Sequence, residues 1–178
     1  DEAYWGGEES GVKGRQTLTK ALIAVGEVNG GGIGRIRLRH IPDTNRATLH
    51  GFIQQCIEPG STVITDGLRA YREMEGYVHN RQIQEDQPLE AEQPLPRVHR
   101  VISLLKRWLL GTHQGGIGHE YLEDYLNEFT FRFNRRFFPF NAFQSLLGIG
   151  AATEPKTYAA LYNPEHPPKS FGKPSIGN

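Results

Sequence analysis

Apolar residues recur along the chain with two different spacings. The first, in which they are consecutive or alternate with polar residues, predicts β-strands. Residues 21–28 form a continuous apolar run, which is typical of a strand buried on both faces. Residues 33–41 alternate instead, with Ile36 and Leu38 on one side and a row of arginines on the other. A glycine-rich turn at residues 29–32 predicts that the two runs form a hairpin with a basic outer face.

The second spacing, with apolar residues three or four positions apart, predicts helices. One helix begins near Pro42 and ends before Pro59, and the most regular pattern covers residues 117–136. The acidic, proline-containing stretch 85–96 is expected to be a surface loop. Further helices are expected at 68–74, at 97–110 with Gly111 closing it, and at 140–147; further strands are expected at 1–4, 61–65 and 77–83.

This order of elements predicts the fold class. Three sequential strands, then a helix, a further strand and more helices, fit an α/β fold with a ribonuclease-H-like mixed sheet. In that fold an antiparallel three-strand meander carries helices packed on its faces. We expect one domain over residues 1–150, followed by a tail over 151–178, where proline, glycine and lysine accumulate and periodicity fades.

Composition limits the possible classes of protein. The chain has 178 residues, 37% of them apolar, which suffices for one core. Its lone Cys56 excludes an internal disulfide and a zinc site built from cysteines, and no apolar run approaches the roughly 20 residues of a membrane span. The 20 basic and 20 acidic residues cancel, but residues 85–92 hold four acids and no base, whereas residues 97–107 hold four bases and no acid.

Candidate chemistry lies where carboxylates meet predicted strands. Asp1 opens the first predicted strand, and Asp66 ends the short apolar run before it. On the helix that follows, His99 and Lys106 are seven residues apart and therefore share a face. Converging carboxylates that bind divalent cations are the requirement of metal-assisted phosphoryl transfer. Each residue also has a simpler interpretation: Asp66 as a turn residue, and the histidine and lysine as solvated side chains.

Four stretches of the chain resemble the ISXO-like insertion-sequence transposases, a branch of the DDE superfamily. These stretches are DEAYWGG, VITDGLRAY, LPRVHRVISLLKRWLLGTHQG and YLNEFTFRFNRR, and the resemblance extends from Asp1 to about Leu147. It implies a ribonuclease-H-like catalytic domain, DNA cleavage and strand transfer, and a two-ion Mg²⁺ site in which Mn²⁺ substitutes. It also implies an N-terminal DNA-binding region, which we expect to be absent from this sequence because the sequence resembles a fragment of a longer protein.

The resemblance assigns roles to individual residues. Asp1 matches the family's first aspartate and Asp66 its second. The third position departs from the usual glutamate: the spacing to the accompanying base Lys106 puts His99 there, although Mg²⁺ prefers oxygen ligands. Two glutamates of the preceding loop remain alternatives for the third ligand: Glu90 and Glu92.

Basic residues near these positions are candidates for contacts with the DNA backbone. On the predicted helix, three arginines extend the positive track begun by Lys106: Arg97, Arg100 and Arg107. The segment FTFRFNRR interleaves aromatic and basic residues. Its phenylalanines fit the core better than stacking on bases, while Arg135 and Arg136 fit either a helix end or a DNA contact.

The resemblance therefore leads to a transposase acting on transposon ends and target DNA, as a homo-oligomer. We expect a cytoplasmic protein, associated with the nucleoid when bound to DNA, with neither a membrane nor a small-molecule substrate as partner. Two alternatives remain: a ribonuclease-H-like nuclease without strand transfer, and a decayed transposase that acts as a DNA-binding module. The histidine at the third position keeps the last alternative open, whereas the retention of both aspartates argues against it.

Overall fold

A computed structural model describes residues 1–6, 21–29, 32–82, 95–114, 117–118 and 121–155. The chain divides into two compact units, Asp1–Phe137 and Phe138–Asn178, and each is described by itself. The sequence-based domain boundary after residue 150 stays a prediction. Among the described residues, no helix is long and apolar enough to cross a membrane.

The first unit combines an antiparallel sheet, a small parallel sheet and helices. Its elements are, in chain order, β1 (Glu2–Trp5), β2 (Ala21–Asn29), β3 (Ile33–Ile41), α1 (Arg46–Cys56), β4 (Thr62–Thr65), a 3₁₀ turn (Arg69–Tyr71), β5 (Val78–Arg81), α2 (Pro96–His113) and α3 (Leu122–Asn134). Strands β1, β2 and β3 pair antiparallel in that order, so the expected three-strand meander is confirmed. Strands β4 and β5 pair parallel in a second sheet. The architecture is mixed α/β.

The first five residues of strand β2 are all apolar because the strand contributes to two cores. Ile23 and Val25 lie in the larger core, together with apolar residues of α2 and α3. Leu22 points to the opposite face and packs with Leu49 and Phe52 of α1. Alternate residues of a strand point to opposite faces, so helices on both faces require apolar residues at successive positions.

Helix α2 covers the larger core with one apolar stripe. Pro96 stands in its first turn, where a missing N–H costs nothing. The buried residues recur at helical spacing: Val98, Val101, Ile102, Leu105 and Leu109. The opposite side of the helix is therefore left for polar and basic residues.

Helix α3 covers the edge of the sheet at β3 with its own polar side chains. The Asn134 amide acts like a strand backbone: its Oδ1 accepts the Ile36 N–H at 2.7 Å, and its Nδ2 donates to the Ile36 carbonyl at 3.0 Å. Glu123 accepts the N–H of His40 at 2.8 Å. An unsatisfied strand edge is a site for unwanted pairing, so these bonds close β3 against it.

Three sequence-based boundaries differ from the structure. Gly111 does not close α2, which runs to His113 before Gln114 turns into the left-handed region at φ 51°. The expected helix at 68–74 is only a 3₁₀ turn, because Glu73 has a positive φ of 56° that no right-handed helix accepts. The long pattern at 117–136 forms a helix only from Leu122.

The second unit is described through α4 (Pro139–Ala152). This helix is longer than the predicted 140–147 and has no charged residue. None of its residues is buried, and its large exposed apolar side chains include Phe140, Phe143 and Leu147.

We expect Asn134→Ala to destabilise the protein by about 1–3 kcal/mol, because two backbone groups of Ile36 would lose a part-buried partner. The measurement is the free energy of unfolding in urea. Asn127→Ala removes the same side chain from an exposed position of α3 and is the control. Equal effects of the two substitutions would show that α3 does not close the edge through Asn134.

Candidate active site at the start of the first strand

Asp1 continues the strand ladder one residue before β1. The Val25 N–H donates to the Asp1 carbonyl at 2.8 Å, and the Asp1 amino group donates to the Val25 carbonyl at 3.2 Å. Ala3 and Trp5 lie in the core that α2 covers, so the alternation of the strand directs the Asp1 side chain towards α2 as well. The side chain is 14% exposed.

His99, in the first turn of α2, lies beside Asp1. Its Nδ1 is 3.8 Å from Asp1 Oδ2, and its side chain is 45% exposed. This distance is too long for a hydrogen bond but short enough for an ionic attraction when the ring is protonated. The neighbouring Val98 is buried in the core, which fixes the register of the helix and leaves His99 at its rim. The two sequence-predicted residues are thus neighbours.

Asp66 follows β4 and shapes the turn after it. Its Oδ1 accepts the N–H of Leu68 at 3.0 Å, so the turn role considered for this residue is observed. The carboxylate also acts on Asp1: burial lowers the pKa of the Asp1 amino group, and the negative charges of Glu2 and Asp66 oppose that shift. Asp66 therefore lies within electrostatic range of the start of β1.

A complete metal-ligand cluster is not formed by the described residues. No group of three or more histidine, cysteine, aspartate or glutamate side chains in that part of the chain is placed to hold an ion. Glu90 and Glu92 lie outside the described residues. The assignment of His99 or of either glutamate to the third position stays a prediction.

A tyrosine that the sequence reasoning missed connects the two aspartate segments. The Tyr71 hydroxyl donates to the Glu2 carboxylate, and Tyr71 is only 4% exposed. Glu2 is adjacent to Asp1, while Tyr71 ends the 3₁₀ turn that follows Asp66. The bond joins residues 69 positions apart. No pattern in the sequence predicts this hydrogen bond, because neither residue departs from what is expected of its own segment.

A second missed pair holds the backbone at Asp66. The buried Thr65 hydroxyl donates to the Asp66 carbonyl at 3.0 Å, and His79 Nε2 lies 2.8 Å from the same hydroxyl oxygen. Because the hydroxyl has one proton, His79 is the donor in the second bond. Burial lowers the pKa of His79, and the charges of Arg81 and His50 lower it further. A neutral ring with its proton on Nε2 satisfies this arrangement.

The basic residues predicted to contact DNA fall into two groups. Lys106, Arg100 and Arg107 are exposed on α2. By contrast, the remaining arginines make internal contacts. Arg97 donates to the Gly32 carbonyl at 3.2 Å, and Arg135 lies 4.0 Å above the Phe131 ring.

Arg136 is part of the packing at the end of α3. Its guanidinium lies 4.1 Å from the Phe133 ring centroid and 4.4 Å from that of Phe137, and it donates to the Ile33 carbonyl. Phe129 is buried in the larger core, against which Phe133 also packs. Phe129 and Phe133 thus have the structural role favoured for them.

His113, from the GTHQGG segment, packs among aromatic rings. Its ring centroid is 5.0 Å from that of Trp108 and 4.4 Å from that of Tyr125. Its Nε2 is buried and has no hydrogen-bond partner among the described residues.

The site combines aspartates at two strand termini with a helix that carries a histidine and a row of cations. The site lies in a unit with a mixed α/β architecture. Residues 1–134 match the family model of the ISXO2-like transposase domain, and the chain belongs to that family. No curated protein and no solved structure matches the chain.

Residue 134 is the last matched position, so the match includes all of β1 to α3 and both aspartates. Helix α4 and the adjacent Arg135 and Arg136 lie beyond it. The identification as an insertion-sequence transposase of the DDE superfamily is therefore confirmed for the unit that carries the candidate site.

The lowered pKa of His79 predicts a specific pH dependence of stability. When pH falls below about 6.5, the unfolded chain takes up a proton on this histidine while the folded protein does not. The free energy of unfolding therefore decreases as the pH falls from about 6.5 to the lower folded-state pKa. Above about pH 6.5 this histidine has no effect on it. We expect His79→Gln, which keeps a donor near Thr65, to flatten this part of the profile.

The measurement is urea unfolding of the wild type and of His79→Gln between pH 5 and pH 8, an interval that includes the ordinary pKa of histidine. Parallel profiles for the two proteins would show that His79 is not held neutral by the fold.

Proposed function

We propose that the chain is the catalytic domain of an insertion-sequence transposase that cleaves DNA and transfers the cut strand in a metal-dependent reaction. The observation that carries the proposal is the family match, which contains both aspartates at the strand termini. Its second support is electrostatic: Asp1, Glu2 and Asp66 concentrate negative charge at the start of β1. Such a concentration is stabilised by bound cations.

We further propose that the unit has the ribonuclease-H-like fold. Supporting this are the antiparallel meander β1–β2–β3, helix α1 on one of its faces, and α2 and α3 on the other. Strand β4 follows α1 in the chain, which is the order expected of a strand reached after a helix.

The donor atoms at the site suit a hard cation. Asp1 and Asp66 offer carboxylate oxygens, which Mg²⁺ prefers, and Mn²⁺ accepts both oxygen and imidazole nitrogen. Asp1 and Asp66 would hold the ions, with His99 completing one coordination shell. Bound ions of this kind lower the pKa of an attacking water or 3′-hydroxyl and stabilise the departing oxygen.

The remaining roles follow from position on α2. Lys106 lies two turns beyond His99 on the same side of the helix, and its exposed ammonium is available to neutralise a phosphate of the bound strand. Arg100 and Arg107 extend this positive surface. Arg97 contributes from the first turn while its guanidinium contacts Gly32, and the side chains of Arg135 and Arg136 stabilise the end of α3.

The partners in this proposal are transposon ends and target DNA. We propose that the protein works on nucleoid DNA as a homo-oligomer, since two ends are processed together. Its surface would then contact the DNA backbone through charge, so that binding weakens as salt is raised.

We expect Asp66→Ala to reduce DNA nicking with Mg²⁺ or Mn²⁺ by about 10²-fold or more, because the charge that holds the ions would be lost. His99→Ala is expected to behave similarly, and His99→Glu to retain activity, since a carboxylate serves the same position. The measurement is nicking and end-joining of DNA that carries the element's ends. Asp124→Ala, an exposed aspartate on α3, is the control.

Each other outcome has a definite meaning. Activity of Asp66→Ala equal to that of Asp124→Ala would reject the proposed site. Nicking without joining of a 3′ end to target DNA would indicate a nuclease. DNA binding by the wild type without nicking or joining would indicate a decayed transposase that acts as a binding module.

A further inference from the structure

Three arginines form a regular row on β3, here called the arginine stripe: Arg35, Arg37 and Arg39. The residues between them, Ile36 and Leu38, are buried against α2 and α3. Because strand residues alternate between faces, the stripe lies on the other face, the one that α1 partly covers. Arg35 and Arg37 are exposed, and Arg39 is half-buried.

The charges of the stripe are not neutralised within the described part of the chain. The ion pairs found there involve Arg46, His99 and Arg132, and no member of the stripe. The stripe donates only to neutral groups: Arg37 to the Ile36 carbonyl at 3.1 Å, and Arg39 to the Gln55 side chain. Packing of the stripe therefore uses some of its donors, but pairs none of its charges with a carboxylate of the described residues.

The positive charge of the arginine stripe affects the neighbouring Cys56. Burial raises the pKa of the Cys56 thiol, and the charges of Arg39 and Arg37 act against that increase. Opposite Arg37 on β2 stands Gly26, which has neither a charge nor a side chain to cover the guanidinium. The Phe52 ring of α1 lies 3.6 Å from the position that a Cβ at Gly26 would take, which is an ordinary van der Waals contact. Helix α1 thus lies along one side of the arginine stripe.

The spacing of the stripe suits a nucleic-acid strand. Every second residue of a strand is displaced by about 6.8 Å, so the three guanidinium groups follow one line at a constant interval. That interval is comparable with the separation of successive phosphates along a DNA strand. Arginine binds phosphate through its planar fork of donors, and a straight β-strand presents such forks in register.

The stripe is separate from the candidate active site. Val25 pairs with Asp1 on one side and with Leu38 on the other, so the stripe is level with Asp1 but two strands away, about 9.6 Å across the sheet. The Asp1 side chain points to the α2 face and the stripe to the α1 face. A DNA segment along β3 therefore approaches the opposite face from a strand that reaches Asp1.

We propose that the arginine stripe is a second DNA-binding surface, which holds the phosphate backbone of one strand independently of base sequence and outside the segment being cut. The proposal rests on the proposed function only in taking DNA as the partner. It assigns to β3 a role beyond its place in the sheet, and it gives the chain a DNA contact on each face of that sheet.

The test is binding of the 178-residue chain to a 30-base-pair duplex of arbitrary sequence, followed by fluorescence anisotropy over a range of KCl concentrations. EDTA is present, so that no cleavage contributes. Each phosphate contact adds about 0.9 to the slope of log affinity against log salt. We expect Arg35→Gln with Arg37→Gln to reduce that slope by about 1.8, and to weaken binding most at low salt.

Two matched variants separate charge at this place from charge in general. Arg46→Gln with Arg132→Gln removes the same charge from arginines already paired with carboxylates, and is expected to leave the slope unchanged. Arg35→Lys with Arg37→Lys keeps the charge and is expected to keep the slope. If the double glutamine variant fails to fold by circular dichroism, the single Arg35→Gln is measured, with an expected reduction of about 0.9.

An unchanged slope in the stripe variant, or an equal reduction in the Arg46/Arg132 variant, would overturn the proposal. Either result would leave the proposed function standing, because nicking is measured separately with metal present. Conversely, a stripe-dependent slope in a protein that does not nick DNA would support the second surface and reject the catalytic role.

Discussion

The two-sided burial of β2 is the constraint on which the rest of the structure depends. Because β2 packs against α1 on one face and against α2 and α3 on the other, its register with β1 and β3 is set by both cores. A slip of one residue would move every side chain to the wrong face. The same parity sends Asp1 towards α2 and the adjacent Glu2 towards Tyr71.

This arrangement separates charges that cancel in the composition. Carboxylates gather at the start of β1, while cations line the exposed side of α2 and the outer face of β3. The carboxylates are held by short-range contacts: the Leu68 N–H at Asp66, the Tyr71 hydroxyl at Glu2 and the Glu2 N–H at Asp1.

Local patterns failed where a residue tolerates more than one conformation. Gly111 is typical of a helix end, yet an exposed glycine within a helix costs only about 1 kcal/mol. Burial of the apolar side chains of α2, among them Leu105 and Leu109, offsets this cost. The segment 68–74 has helical composition, but Glu73 takes a positive φ of 56°, so only a 3₁₀ turn forms, and Tyr71 and Met74 are buried in the core that α1 covers. In each case tertiary packing outweighs a small local preference.

The sequence by itself determined the elements whose pattern repeats: the alternating strand β3, the apolar strand β2, the stripes of α2 and α3, and the family of the chain. It also predicted that Asp1 and His99 belong to one site, and they are neighbours. Only the tertiary structure decided which distant residues meet. The bonds of Asn134 to Ile36 and of Tyr71 to Glu2 join positions 98 and 69 residues apart. Such partners are determined by the packing of whole helices and strands, and the sequence pattern of one segment does not predict which surface it packs against.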